Sequence, residues 1–176
     1  MRSNFGLELR MGNHEGAGAT LQESARGGTE RHPRTDLAEA EKVARLGEHE
    51  YMRAAGREAV AWIRSHPGEF LRLTALRFAQ FWLGPRDDLP VAAGTALLFL
   101  LAAAGAVRSF PRLGSLRRAA ILVPLATYPL VYYLVPYMPR YREPIDWMLF
   151  LLAGAAITGR PRRLGGRRPT DSVAPA

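Results

Sequence analysis

The stretch PVAAGTALLFLLAAAGAV, from Pro90 to Val107, contains no charged side chain. In a helix rising about 1.5 Å per residue it would extend about 27 Å, close to the hydrocarbon thickness of a bilayer. An uncharged apolar run of this length is typical of a transmembrane helix. We therefore predict a first membrane span at residues 90–107.

Two further apolar stretches follow this run. Residues 119–139 (AAILVPLATYPLVYYLVPYMP) are uncharged, but they contain four prolines, which predict a kinked or broken helix whose freed carbonyl groups need neighbours. Residues 144–159 (PIDWMLFLLAGAAITG) form a shorter run that includes Asp146, so we predict a short span or a re-entrant helix. The transmembrane region is thus expected at 89–159.

Arginines mark one side of these spans. They are Arg108, Arg112, Arg117 and Arg118 between the first two spans, and Arg160, Arg162, Arg163, Arg167 and Arg168 after the third. Because cytoplasmic loops retain Lys and Arg during insertion, we expect both segments, including a basic tail at 160–176, in the cytoplasm. The chain is then a multi-pass protein of the bacterial inner membrane. Everything before the first span, and the loop at 140–143, lies on the outer side of that membrane.

The charge distribution supports a membrane protein over a nucleic-acid-binding protein. The net charge is +8, yet residues 1–88 hold 13 basic and 13 acidic side chains, so the whole excess lies in the second half. Arginines there punctuate apolar runs and form no basic helix interleaved with stacking aromatics, so we expect no nucleic-acid partner.

The sequence offers few metal ligands. It contains no cysteine, which excludes disulfides, thiolate metal sites and cysteine catalysis. Its four histidines, His14, His32, His49 and His66, are widely separated along the chain and form no compact ligand pair. We predict no metal site.

The region before the spans divides into a loop and a helical segment. Residues 1–34 are expected to form a loop outside the membrane, because residues 11–34 are rich in Gly, Glu and Arg without an apolar period. Residues 35–88 are expected to be helical. Asp36 and Glu39 resemble a capping box, apolar residues recur at helical spacing to Ser65, and Gly47 and Gly56 are candidate breaks.

A separate helix is expected after His66, with Pro67 at its first position, where the missing N–H does no harm. Its apolar surface ends at Trp82 and includes Arg72 and Arg77. It is predicted either to lie on the outer membrane surface or to pack on its own soluble domain, and an apolar stripe alone does not separate these alternatives.

Residues 1–30 have no apolar core typical of a signal peptide. Export of so long a charged and polar segment ahead of a first span is unusual. We therefore expect the chain to be a truncated or split part of a larger polytopic protein.

Four segments carry a resemblance to a known family. They are RSNFGLELRMGN (2–13), LGEHEYMR (46–53), IRSHPGEFLRLTALRFAQFW (63–82) and PRYREPID (139–146). In this order they resemble the C-terminal part of bacterial polytopic GT-C glycosyltransferases, similar to protein mannosyltransferases and aminoarabinose transferases.

The resemblance implies sugar transfer from a polyprenyl-phosphate donor on the outer membrane face. It also implies an inverting displacement with an Asp or Glu of the first external loop as base, often with a divalent cation. No segment of this sequence matches that loop, so the catalytic carboxylate is expected to be absent, the chain alone inactive, and an upstream catalytic polypeptide a possible partner.

The expected donor-phosphate site is Arg140, Tyr141 and Arg142, because two guanidinium groups at the interface can hold a phosphate by charge-assisted hydrogen bonds. The alternative is that these arginines only reach lipid head groups. Asp146, four residues after Arg142, is expected to orient that arginine. Asn4, Glu8 and Asn13 are expected to line the external cavity, with ordinary loop polarity as the alternative.

The sequence therefore predicts an all-α integral membrane protein with about three transmembrane helices and an external helical segment. Its predicted function is that of the membrane portion of a lipid-linked-sugar glycosyltransferase. A non-catalytic membrane scaffold or assembly subunit is the alternative.

Overall fold

The computed structural model describes residues 4–29 and 31–158, and within these ranges the chain is helical and contains no strand. This confirms the all-α prediction for the described residues. One isolated bridge joins Thr20 to Tyr137. The α-helices are α1 (Phe5–Gly12), α2 (Leu21–Arg26), α3 (Leu37–Leu46), α4 (Glu48–Ser65), α5 (Pro67–Leu83), α6 (Leu89–Ser109), α7 (Ser115–Thr127) and α8 (Glu143–Ile157).

The N-terminal loop prediction for 1–34 is wrong where the chain forms α1 and α2. Helix α1 buries Leu7 and Met11 against Tyr51 of α4. Helix α2 is very short and is held by a capping box between Thr20 and Glu23. Such a short helix depends on its cap and has no apolar period to reveal it.

Helices α3 and α4 separate at Gly47, as predicted, because this glycine adopts the left-handed conformation with φ +77°. Gly56 lies inside α4 and breaks nothing. Asp36 caps α3 by accepting from the N–H groups of Ala38 and Glu39. The carboxylate of Glu39 does not complete the predicted capping box, because it is buried and binds other partners.

Helix α5 begins at Pro67, as predicted, and turns one face into the protein. That face buries Leu73, Arg77, Gln80 and Phe81. Leu71 and Phe78 on the same helix remain 64% and 51% exposed. Packing on the protein therefore accounts for one face of α5, and a second apolar surface is left uncovered.

Helix α6 confirms the helical nature of the first predicted span. It belongs to the one segment of the described residues, Leu89–Arg112, that is long and apolar enough to cross a membrane. Only 11% of its most apolar window is buried inside the protein. A core helix of a soluble protein would be mostly buried.

The second and third predicted spans are shorter helices. Helix α7 ends at Thr127 and continues as a 3-10 helix over Tyr128–Tyr133, so residues 119–139 form a broken helix, as their prolines predicted. Helix α8 has 15 residues. The basic tail at 160–176 lies outside the described residues.

Helices α6 and α8 pack against each other at very close range. Ala102, Leu149 and Leu152 form the buried centre of this contact. A Cβ atom at Gly105 would collide with the backbone oxygen of Leu152, so only glycine permits this approach. The contact holds α8, and with it the chain that precedes α8, against α6.

Candidate functional site

The predicted site lies in the segment that enters α8. Met138 is extended, Pro139–Tyr141 form one 3-10 turn, and α8 starts at Glu143. Just before this turn, the N–H of Tyr137 donates to the carbonyl of Ala19 at 2.9 Å, and the Tyr137 side chain is buried. The turn is therefore fixed at one end by the N-terminal region and at the other by α8.

Arg142 and Asp146 form the predicted pair across one helical turn. Nε of Arg142 donates to Oδ1 of Asp146 at 2.6 Å, and Arg142 is only 8% exposed. Nη1 of Arg142 also reaches the carbonyl of Phe81 at 3.5 Å. This guanidinium is thus occupied by protein partners, which makes it a positioning group at the start of α8.

Arg140 is exposed and lies beside an aromatic stack. Its guanidinium carbon is 5.6 Å from the centre of the Tyr141 ring, and Tyr141 stacks on Tyr132 with 4.5 Å between ring centroids. Burial, reinforced by the charge of Glu8, raises the pKa of Tyr141. A tyrosine hydroxyl is protonated at neutral pH in any case, so that of Tyr141 can donate a hydrogen bond.

The three N-terminal residues predicted to support the site have different positions. Glu8 is half-buried and acts on Tyr141 through its charge. Asn4 is exposed and precedes α1, where its carbonyl accepts from the N–H of Glu8. Asn13 is fully buried, and its Nδ2 donates to the carbonyls of Leu9 at 2.7 Å and Leu134 at 2.8 Å.

Sequence reasoning missed the central role of Arg77. This arginine is fully buried, and its guanidinium donates to the carbonyls of Gly12, Gly18 and Leu134. Burial lowers its pKa to about 10. Its spacing from Leu73 and Phe81, at i−4 and i+4 on one apolar face, is the signal that would have placed it inside.

Arg77 and Asn13 both bind the carbonyl of Leu134, which follows the 3-10 helix. Where a helix breaks, carbonyl groups lose their intrahelical N–H donors. Away from water they need other hydrogen-bond donors, such as these two side chains. Asn13 and Arg77 therefore stabilise the broken part of residues 119–139, which supplies the neighbours that its prolines led us to expect.

A second buried ionic group, also missed, joins α1, α3 and α4. Nη2 of Arg10 lies 2.5 Å from Oε2 of Glu39, and the Tyr51 hydroxyl donates to the same oxygen at 2.6 Å. Burial opposes ionisation of Glu39, but hydrogen bonds from Lys42, Tyr51 and Arg10 outweigh it and lower its pKa to about 2. Burial also raises the pKa of Tyr51, to about 12.

The described residues do not supply a site for the divalent cation that the resemblance implies. Within 4–29 and 31–158, no group of three or more His, Asp or Glu side chains is placed to hold a metal ion.

Comparison with known proteins adds no assignment. The chain matches no protein-family model, and neither curated proteins nor solved structures give a match.

Proposed function

We propose that this chain is the membrane-embedded part of a glycosyltransferase that binds a polyprenyl-phosphate sugar at the outer membrane face. The observation that supports membrane embedding is the large apolar surface of α6, α7 and α8, and the donor class rests on the family resemblance of the four segments. Large exposed side chains on these helices include Leu100 (63%), Val107 (76%), Leu116 (82%), Phe150 (64%) and Leu151 (60%). Soluble monomers rarely expose large apolar surfaces.

The close packing of α8 on α6 supports more than one crossing in this proposal. Helix α7 and the 3-10 helix after it run from Ser115 to Tyr133, and α8 pairs with α6 along its length. We place three crossings here, with residues before Leu89 and the turn at 139–142 outside.

The donor phosphate is proposed to sit between Arg140 and Tyr141. Arg140 is an exposed cation, and the protonated hydroxyl of Tyr141 adds a donor next to it. A phosphate accepts charge-assisted hydrogen bonds from both kinds of group. Arg142, which is paired with Asp146, holds the turn in place.

Binding of the donor lipid is tested with the chain in lipid nanodiscs. Polyprenyl monophosphate should bind with saturation, and Arg140→Ala should weaken that binding about tenfold, as expected for a lost charge-assisted bond. Arg86→Ala is the matched control, because Arg86 is also exposed and lies in the turn before α6. Equal effects of both substitutions would show only general attraction to lipid head groups and would remove the site assignment.

Topology is tested by single-cysteine labelling, which is unambiguous because the chain has no native cysteine. A membrane-impermeant thiol reagent should label Glu41→Cys from outside and Ser115→Cys only after the membrane is opened. Labelling of Glu41→Cys from the cytoplasmic side would overturn the orientation and the function built on it.

Sugar transfer is tested separately with a polyprenyl-phosphate sugar and the isolated chain. We expect no transfer, because no segment resembles the catalytic external loop. Robust transfer by this chain alone would show that the catalytic group lies within these residues.

A second candidate function is that of a non-catalytic membrane scaffold, and one observation favours it. Where α1 crosses α4, an open groove of about 610 Å³ combines apolar Phe5 and Val60 with Arg53, Arg57 and Arg64. A photo-crosslinker at Val60 that captures one partner in membranes, together with no binding of polyprenyl phosphate, would favour the scaffold.

A further inference from the structure

A cavity of about 230 Å³ lies beside the buried Arg10 group, and neither Arg140 nor Tyr141 belongs to its lining. Its lining comes from α1, from the chain after α1 and from one side of α4. It consists of Arg10, Met11, Asn13, His14, Glu15, Arg31, Glu58 and Trp62. Pockets for drug-sized ligands measure about 300–1,000 Å³, so this cavity suits a single small ring.

Unpaired polar atoms are concentrated around this cavity. Seven side-chain N or O atoms of the described residues are buried without a hydrogen-bond partner, and four of them belong to its lining: Arg10 Nε, Asn13 Oδ1, His14 Nε2 and Trp62 Nε1. Such groups are costly to leave unpaired, and most buried polar groups in proteins have partners. A bound molecule is one way to satisfy them.

The four atoms divide evenly between donors and acceptors. Arg10 Nε and Trp62 Nε1 carry hydrogens and donate, whereas Asn13 Oδ1 accepts. His14 Nδ1 lies 2.7 Å from the carbonyl of Glu15, so Nδ1 carries the proton. Burial lowers the pKa of His14, which leaves the ring neutral and its Nε2 an acceptor.

The charges of the lining also balance. Arg10 and Arg31 are matched by Glu15 and Glu58, and Arg10 Nη1 lies 3.2 Å from Glu58 Oε2. No net charge is left to attract an anion. The ring of Trp62 adds an apolar wall.

We propose that this cavity binds a neutral polyhydroxylated ring, a monosaccharide or a cyclitol. Hydroxyl groups both donate and accept, which matches two unpaired donors and two unpaired acceptors, and the aromatic wall suits the C–H face of such a ring. Each of the four atoms has less than 1 Å² of accessible surface, so the proposal requires the lining side chains to rotate and present these atoms to the ring. This proposal does not rest on the proposed glycosyl transfer, because its observations all lie in residues 10–62.

The test is calorimetric titration of the full chain in a zwitterionic detergent without a sugar head group. The probes are D-glucose, D-mannose, myo-inositol and sodium phosphate. We expect saturable binding of at least one of the three neutral rings and none of phosphate. His14→Ala and Trp62→Phe should each weaken binding about fivefold, the effect of one lost neutral hydrogen bond.

His49→Ala is the matched control, because His49 is exposed at the start of α4 and does not line the cavity. Its affinity should equal that of the unsubstituted chain. Thermal unfolding of each variant separates lost binding from lost folding, and Trp62→Phe retains an aromatic wall if His14→Ala fails to fold. Binding of phosphate alone, binding of no probe, or equal affinities of His14→Ala, Trp62→Phe and His49→Ala would overturn the proposal.

Discussion

Nε of Arg142 donates to Oδ1 of Asp146 at 2.6 Å, across the first turn of α8. This pair separates the roles of two arginines that the sequence presents close together. Arg142 is buried and engaged, whereas Arg140 is exposed over the ring of Tyr141. Stability should therefore depend on one arginine and ligand binding on the other.

Arg142→Ala should lower the free energy of unfolding by about 1–3 kcal/mol, because it leaves Asp146 without its partner. Arg140→Ala should change it by less than about 0.5 kcal/mol, as for an ordinary surface substitution. Thermal or denaturant unfolding in detergent measures both. The same loss for both arginines would contradict this division of roles.

Arg77→Met should lower the free energy of unfolding by about 3 kcal/mol. The substitution removes a buried charge but leaves the carbonyls of Gly12 and Leu134 without the guanidinium that binds them. Arg77→Lys should recover only part of the lost stability. The planar guanidinium of arginine donates to carbonyls in separate directions, which the compact ammonium group of lysine cannot do.

Arg72→Met is the control for this measurement. Arg72 lies on the same helix, is exposed and pairs with Glu69 at the surface. Its loss should cost less than about 1 kcal/mol. An Arg77→Met variant as stable as Arg72→Met would mean that the buried guanidinium contributes nothing to folding.

The stability of the chain should fall at low pH because of Glu39. Its pKa is about 2 in the folded state and 4.5 without the protein environment. A lowered folded pKa contributes stability that is complete above about 4.5 and is lost as the pH falls toward 2. Unfolding followed from pH 7 to pH 2 should show this loss.

Glu39→Gln should be less stable at neutral pH and should show a shallower decline below pH 4.5, since the titrating group is gone. Glu41→Gln, at an exposed position of the same helix, should keep the decline of the unsubstituted chain. Identical acid profiles for Glu39→Gln and Glu41→Gln would assign the acid sensitivity to other carboxyl groups.

Gly105→Ala should destabilise the contact between α6 and α8 by about 1–3 kcal/mol, because the new methyl group meets the backbone of Leu152. Gly94→Ala in the same helix has open space around it and should be neutral or stabilising by up to about 1 kcal/mol. Unfolding in detergent compares the two. A Gly105→Ala variant as stable as Gly94→Ala would show that the helices can separate without cost.

The larger helices could be predicted from the sequence because their signals lie within the helices or at their ends. These signals are the helical spacing of apolar residues, Gly47 between α3 and α4, and Pro67 at the start of α5. The sequence also placed Arg142 next to Asp146, because four residues is about one helical turn. Helices α1 and α2 were missed, since α2 depends on a cap and α1 on packing against α4. Arg77, Arg10 and Glu39 were missed for a different reason: they bind partners far away in the sequence, and periodicity does not report such distances.

The carbonyl of Leu134 receives bonds from the side chains of Asn13 and Arg77, which lie much earlier in the chain. The side chains of Asn13 and Arg77 therefore cannot complete their hydrogen bonds until Leu134 has been synthesised and placed. Contacts between such distant segments slow folding. During synthesis Asn13 and Arg77 emerge well before Leu134, so the surroundings of these two side chains should stay sensitive to proteases until the last helices are in place, whereas the contact of α1 with α4 can form earlier.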